Sequence, residues 1–216
     1  MPQIFPRGAN TIARVTLVLV PLLASAVLAA VAIAQRSPYA TGVGVPLQQP
    51  VPFSHKHHVG DDGIDCRYCH TSVENSSFAG VPSTDICMNC HRQIWDKSSM
   101  LEPVRQSYRT GTPLVWNRVN DLPDFVYFNH SIHVSKGIGC ESCHGRVDRM
   151  PLTWKATTLE MGFCLACHRE PERHVRPREE VFAMGWEPRI PQAELGPRLV
   201  KQYGIRRLTD CTTCHR

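Results

Sequence analysis

The longest apolar stretch of the chain is residues 15 to 34, VTLVLVPLLASAVLAAVAIA, twenty positions without a charged side chain. That is the length an α-helix needs to cross about 30 Å of hydrocarbon. Beyond it the pattern changes character. No segment alternates long enough to predict a sheet, and with seventeen prolines in the chain short helices joined by loops are the expected texture. Leu101, Val104 and Tyr108 fall at helical spacing and predict a short amphipathic helix. The expected fold class is therefore mostly α and irregular, with one N-terminal transmembrane helix and little or no sheet.

Two readings compete for the apolar segment. Ala32-Ile33-Ala34 before Gln35 looks like a signal-peptide cleavage site. The apolar run, however, exceeds the roughly 7–15 residues of a signal-peptide core, which favours an uncleaved anchor over 15–36. Arg7 and Arg14 precede the span and only Arg36 closely follows it. The positive-inside bias then puts residues 1–14 in the cytoplasm and the rest of the chain outside. Ala26, Ala30 and Ala34 form a small-residue stripe suited to packing on another membrane helix. Pro21 is a place where the helix would kink or simply tolerate the proline.

The chemistry lies in the cysteines. All ten fall into five Cys-x-x-Cys-His units: Cys66/Cys69/His70, Cys87/Cys90/His91, Cys140/Cys143/His144, Cys164/Cys167/His168 and Cys211/Cys214/His215. A disulfide framework would not demand a histidine after every second cysteine. Structural zinc sites need Cys-x-x-Cys in pairs or with spaced histidines, and five is odd. Four-thiolate iron–sulfur sites would strand two of the ten. The remaining reading is c-type haem attachment, five times over. Residues i, i+3 and i+4 share one helical face, so two thiols can hold the porphyrin while the histidine nitrogen reaches its iron. Each haem then has only about 36 residues around it, too few for a conventional core, and the haems themselves are expected to fill it.

One pattern occurs twice. Phe53-x-His55-x-x-His58-Val59 leads through Gly63-Ile64-x-Cys66 to His70 and then to Cys87/Cys90/His91; Phe128-x-His130-x-x-His133-Val134 leads through Gly137-Ile138-x-Cys140 to His144 and then to Cys164/Cys167/His168. The second copy is one residue shorter between its histidines and its first cysteine. Two two-haem units follow, over 50–92 and 128–170, joined by a connector at 93–127. Residues 171–216 are a Pro- and Arg-rich segment ending in the fifth site. In each unit the two upstream histidines lie three residues apart, on one side of a helical turn. One can ligate the haem just downstream and the other its neighbour. His70, His91, His144, His168 and His215 are thus proximal iron ligands, and His55, His58, His130 and His133 distal ones. His57 has no counterpart in the second copy, where Ile132 stands, and reads as a solvent-side residue. The tenth axial position falls to Met161, with His174 and Met150 as alternatives. A His/Met haem would sit at higher potential than its bis-His neighbours. With every iron closed the chain has no catalytic residue, and it reads as an electron carrier rather than an enzyme.

The formal charge of +5 is a weak nucleic-acid signal, because haem propionates would engage much of the basic excess, and no nucleic-acid partner is expected.

The runs "FSHKHHVGDDGIDCRYCH", "AGVPSTDICMNCH", "YFNHSIHV" and "LEMGFCLACHRE" resemble class III multihaem cytochromes c, and within them the pentahaem cytochrome c subunit of alternative complex III. The resemblance covers roughly residues 10 to 216 and is weakest over 172–208. It implies a bacterial inner-membrane quinol-oxidising complex, with integral membrane subunits and an iron–sulfur subunit as partners. It also implies a downstream monohaem cytochrome c, soluble carrier or terminal oxidase as acceptor, and a haem domain on the periplasmic side. Two alternatives stand beside it: a free-standing membrane-tethered relay, and a quinol dehydrogenase of the NapC/NrfH kind. The latter has four haem motifs and lacks the paired upstream histidines.

Overall fold

A computed structural model describes residues 4–215; Met1 to Gln3, at the start of the expected cytoplasmic segment, and Arg216 lie outside the described residues. The chain divides between Val43 and Gly44 into two compact units.

The first unit is dominated by helix α1, Ala9–Arg36. It begins ahead of the apolar run, because nothing between Gly8 and Val15 breaks a helix. Its 28 residues span about 42 Å, more than the hydrocarbon thickness of about 30 Å. The helix runs on through Pro21, and none of its residues is buried. Its best window has a mean hydropathy of 2.7, so it is long and apolar enough to cross a membrane. The last turn is closed by the Arg36 guanidinium, which donates to the Ala32 carbonyl at 3.1 Å, a favourable place for a cation. After Ser37 a short helix, α2 (Pro38–Thr41), ends in Gly42 in the left-handed conformation.

The second unit is built from short helices: α3 (Cys66–Cys69), α4 (Thr84–His91), α5 (Glu102–Thr110), α6 (His130–Ser135), α7 (Glu141–His144), α8 (Met161–Arg169), α9 (Gln192–Gln202) and α10 (Cys211–Cys214). Among the described residues there is no strand, only the isolated antiparallel bridges Pro46–Trp154, Val126–His215 and Ile138–Val175. The polypeptide core is correspondingly small. One cluster gathers Val51, Met88, Leu101 and Val104; the other gathers Val175, Leu199 and Tyr203. Leu101 and Val104 come from the expected amphipathic segment, which folds as a 3-10 turn, Ser99–Leu101, running into α5, with Gly111 in the left-handed conformation behind its last turn. Tyr108 of the same segment stays exposed.

The two copies of the repeat are wound differently, and the extra residue of the first explains how. In the second copy His130–Ser135 forms an α-helix, and Ile138 N donates back to the His133 carbonyl at 3.0 Å. In the first copy the equivalent Lys56–Asp61 is a π-helical turn, and Ile64 N donates to the His58 carbonyl at 2.9 Å. A π turn takes up one added residue without disturbing what lies on either side. Both copies then leave the turn through a glycine of positive φ, Gly63 at 69° and Gly137 at 77°, a conformation that a Cβ would strain.

The repeats are joined at close quarters. Lys56 N donates to the Met150 carbonyl at 3.0 Å. A methyl group on Gly60 would collide with the Asp148 carbonyl, so only glycine lets the π turn lie on that segment. Around α7 the buried Arg176 guanidinium, 7% exposed, holds Glu141 at 2.8 Å.

Gly60→Ala should therefore push the π turn off residues 147–149 and lower stability by about 1–3 kcal/mol, the usual scale of overpacking. The midpoint of chemical unfolding measures this, and an unchanged midpoint would refute the close approach.

Candidate metal centres

Each Cys-x-x-Cys lies on a turn of helix. In α3 the turn is started by Asp65, whose carboxylate accepts from Arg67 N at 2.8 Å, a side-chain cap of the usual kind. Helix α4 carries Cys87 and Cys90, α7 follows Cys140 and carries Cys143, α8 carries Cys164 and Cys167, and α10 carries Cys211 and Cys214. All ten cysteines are unbonded, and a histidine follows every second one.

Eight histidine rings meet in four pairs, each joining an attachment-site histidine to an upstream one. His55 faces His70 with ring centres 6.5 Å apart, and His58 faces His91 at 6.1 Å. His130 faces His144 at 6.3 Å, and His133 faces His168 at 6.1 Å. Two imidazoles bound on opposite sides of one metal, through bonds of about 2 Å, need ring centres about 6 Å apart. The rings are spaced for an atom between them. In the first pair of each unit the planes are nearly parallel, at 7° and 9°. In the second pair they are crossed, at 70° and 72°.

The phenylalanine of the repeat sets this alternation. Phe53 meets His55 edge-on at 4.9 Å and 87° and stacks on His58 at 4.5 Å and 21°. Phe128 does the same to His130, at 4.7 Å and 90°, and to His133, at 4.4 Å and 27°. One aromatic wedge thus turns two imidazoles about a right angle apart, in arrangements that aromatic rings favour.

The outward nitrogen of most of these rings is fixed as well. The Nδ1 atoms of His58, His70, His91, His130, His133 and His215 meet the carbonyls of Ser54, Gly80, Ile94, Ser77, Asn129 and Phe125 at 2.7–3.2 Å. His55 Nδ1 meets the Thr153 hydroxyl at 2.9 Å. A carbonyl can only accept, so Nδ1 carries the proton and Nε2 keeps its lone pair for a metal. His144 Nδ1 meets the side-chain amide of Asn120 at 3.1 Å, and the Asn120 Oδ1 is buried without a partner. With the amide turned so that Oδ1 faces the ring, that orphaned oxygen accepts Nδ1–H, and His144 joins the others.

Burial favours the neutral form of three of the rings. It pushes the His55 imidazole down to about 4, with His70, His58 and His144 adding to the effect. It pushes His144 down to about 4, with help from His130 and His70. His133 is lowered too, mainly by burial. A neutral imidazole is the form that ligates.

Other candidates fall outside these pairs. His57 is half-exposed, pairs with Asp62 at 3.4 Å and lies over Trp95. The His215 ring is met by Phe125, 5.8 Å away, and not by a second imidazole. Met161 starts α8 on the face that bears Cys164 and His168, and is 67% exposed. Met150 is 2% exposed, its methyl group beside Gly145, which makes it part of the packing under α7. His174 is exposed, near Arg176 and Trp186. The structure thus brings eight of the nominated ligands together and leaves the partner of His215 open. The phenylalanine wedge, Thr153, Ser77 and Asn120 escaped the sequence reading. Only the phenylalanines left a signal there, their recurrence two residues before a histidine.

Comparison with known proteins agrees with this geometry. Residues 30–110 match the class III cytochrome C family, and residues 126–216 match cytochrome c7 and related cytochrome c. Together the two matches cover most of the chain and support a multihaem cytochrome c of the class III and c7 type, families that imply c-type haem. It is also similar to the multiheme cytochrome c subunit of menaquinone reductase from Nitratidesulfovibrio vulgaris strain Hildenborough, with 38% identity over 98 residues. That match spans 45% of this chain and 46% of the relative, so the chain aligns with about half of that protein's length.

Asn120→Leu removes the acceptor from His144 Nδ1 while nearly keeping the volume. Loss of an outer-shell partner changes metal affinity about 10–100-fold. If that loss falls mainly on the oxidised state, one haem should rise in potential by about 60 mV or more, at 59 mV per decade. A spectroscopic redox titration reads this, with the other haems unmoved.

Proposed function

We propose that the chain is a membrane-anchored pentahaem cytochrome c that relays electrons inside a quinol-oxidising membrane complex of the alternative complex III type. The four opposed imidazole pairs carry this reading. His55 with His70, His58 with His91, His130 with His144 and His133 with His168 would each close one iron from both sides. His215 would hold the fifth iron, with Met161 as its distal ligand; the burial of Met150 in packing weakens that alternative, and His174 remains the other. Bound haem supplies a one-electron couple. The residues place both axial imidazoles, hold most of the Nδ1 protons and leave no open coordination position at the four paired sites, which favours transfer over bond chemistry. The anchor reading rests on α1, with the N-terminus cytoplasmic and the attachment sites on the periplasmic face. An iron–sulfur subunit would deliver electrons, and a monohaem cytochrome, soluble carrier or terminal oxidase would receive them.

A second reading is favoured by the menaquinone reductase relative: the same relay serving quinone reduction, with the flow reversed. Both place quinone chemistry in other subunits. Purification in mild detergent separates them from a free-standing relay or a self-sufficient quinol dehydrogenase. Co-elution with an iron–sulfur subunit and polytopic membrane subunits is expected, and a chain that runs alone refutes the assignment. The direction follows from whether the isolated complex reduces an acceptor with quinol.

Ligand orientation gives an independent check. The ferric protein should be low-spin, with two haems of ordinary rhombic EPR signal from the parallel pairs and two of strongly anisotropic signal from the crossed pairs, because plane orientation sets the ligand field. A high-spin signal that binds carbon monoxide or nitrite at a paired site would refute the closed-iron reading.

A further inference from the structure

Numbered 1 to 5 along the chain, the attachment sites are tied together in an order that is not the order of the sequence. Sites 1 and 2 are linked inside their own motifs, where Asn89 Nδ2 donates to the Tyr68 hydroxyl at 3.1 Å. His55 and His58, on one turn, reach sites 1 and 2 respectively. Sites 1 and 3 are cross-braced. Ser77, just after site 1, accepts from His130 N at 3.1 Å and meets His130 Nδ1 at 2.9 Å. Thr153, just after site 3, holds His55. Between them Cys66 and Cys140 are close neighbours. Sites 3 and 4 share α6, whose His130 and His133 face one each, and Thr157 donates to the Cys143 carbonyl at 3.4 Å. Site 5 hangs on the segment that leads into Phe128. There Tyr127 N donates to the Cys214 carbonyl at 2.8 Å, and His215 Nδ1 meets the Phe125 carbonyl at 3.2 Å. Phe128 itself stacks on His133 of site 4, and Cys164 and Cys214 are close neighbours.

Exposure follows this order. The only exposed cysteines are Cys90 of site 2 and Cys211 of site 5, with the other eight partly covered. The imidazoles named above as pushed down by burial, His55, His144 and His133, belong to sites 1, 3 and 4, and none belongs to either end.

We propose that electrons pass through the sites in the order 2–1–3–4–5, and that sites 2 and 5 are the two ends at which one-electron partners, iron–sulfur or haem proteins, exchange with the chain. This rests on the haem-ligation reading above. Each step moves one electron from a ferrous site to the adjacent ferric one; no bond to substrate forms or breaks. The two repeats are thus joined head to head through their first sites, and not tail to head as in the sequence.

The experiment uses the full-length protein in its native complex. Haem content by pyridine haemochrome comes first, then iron–iron separations from a cryo-EM reconstruction of the same sample. Five haems per chain are expected, with 2–1, 1–3, 3–4 and 4–5 as the four shortest separations. Five haems with site 2 nearer site 3 or 4 than site 1, or with site 5 nearer site 1 or 2 than site 4, would overturn the order and leave the ligation reading standing. Fewer than five haems would overturn both.

Discussion

Everything in the second unit depends on the orientation of an imidazole. A histidine ring offers two nitrogens, and a metal centre forms only if one is tied back and the other points into the gap. Here the tying is done mostly by main-chain carbonyls, groups present whatever the side chain. The site histidines are therefore held by the path of the backbone, and the path of the backbone is held by very little apolar core. Val51, Met88, Leu101 and Val104 form one nucleus, and Val175, Leu199 and Tyr203 another. The four ring pairs are spaced to hold another group between their imidazoles.

The two repeats show how such an arrangement tolerates change. The first has one residue more than the second between its histidines and its cysteines. A lengthened loop would have moved His55 and His58 relative to α3. Winding Lys56–Asp61 as a π turn absorbs the residue and returns the chain to the same exit, a glycine at positive φ. Phe53 and Phe128 keep nearly the same angles to their histidines, 21° and 27° for the stacked ring and 87° and 90° for the edge-on one. The wedge is the invariant, and the winding is what gives.

Much of this was legible in the sequence. The apolar run announced α1, the prolines announced short helices without sheet, and the register of Phe-x-His-x-x-His marked the histidines that come together. The spacing between histidines and cysteines even contained the π turn, as one surplus residue. Other features left no trace because they are main-chain contacts. Ser77 and Phe125 act through carbonyls that every residue possesses. Asn120 is an isolated polar residue in a loop, and nothing local distinguishes it from Asn117. The partner of His215 stayed hidden for a different reason: the fifth site lacks the repeat, so no register pointed at its second ligand.

The cross-brace between Ser77 and His130, and between Thr153 and His55, has a consequence for how the protein is made. Each repeat looks like a self-contained module, and each half of the chain matches a cytochrome family separately. Yet neither half contains the anchor that orients the upstream histidine of its own first site. A half-chain would carry its cysteines and its wedge but would leave one imidazole free to swing. The ring orientation at sites 1 and 3 is thus complete only when both repeats have met. The duplication that doubled the module also ended its independence.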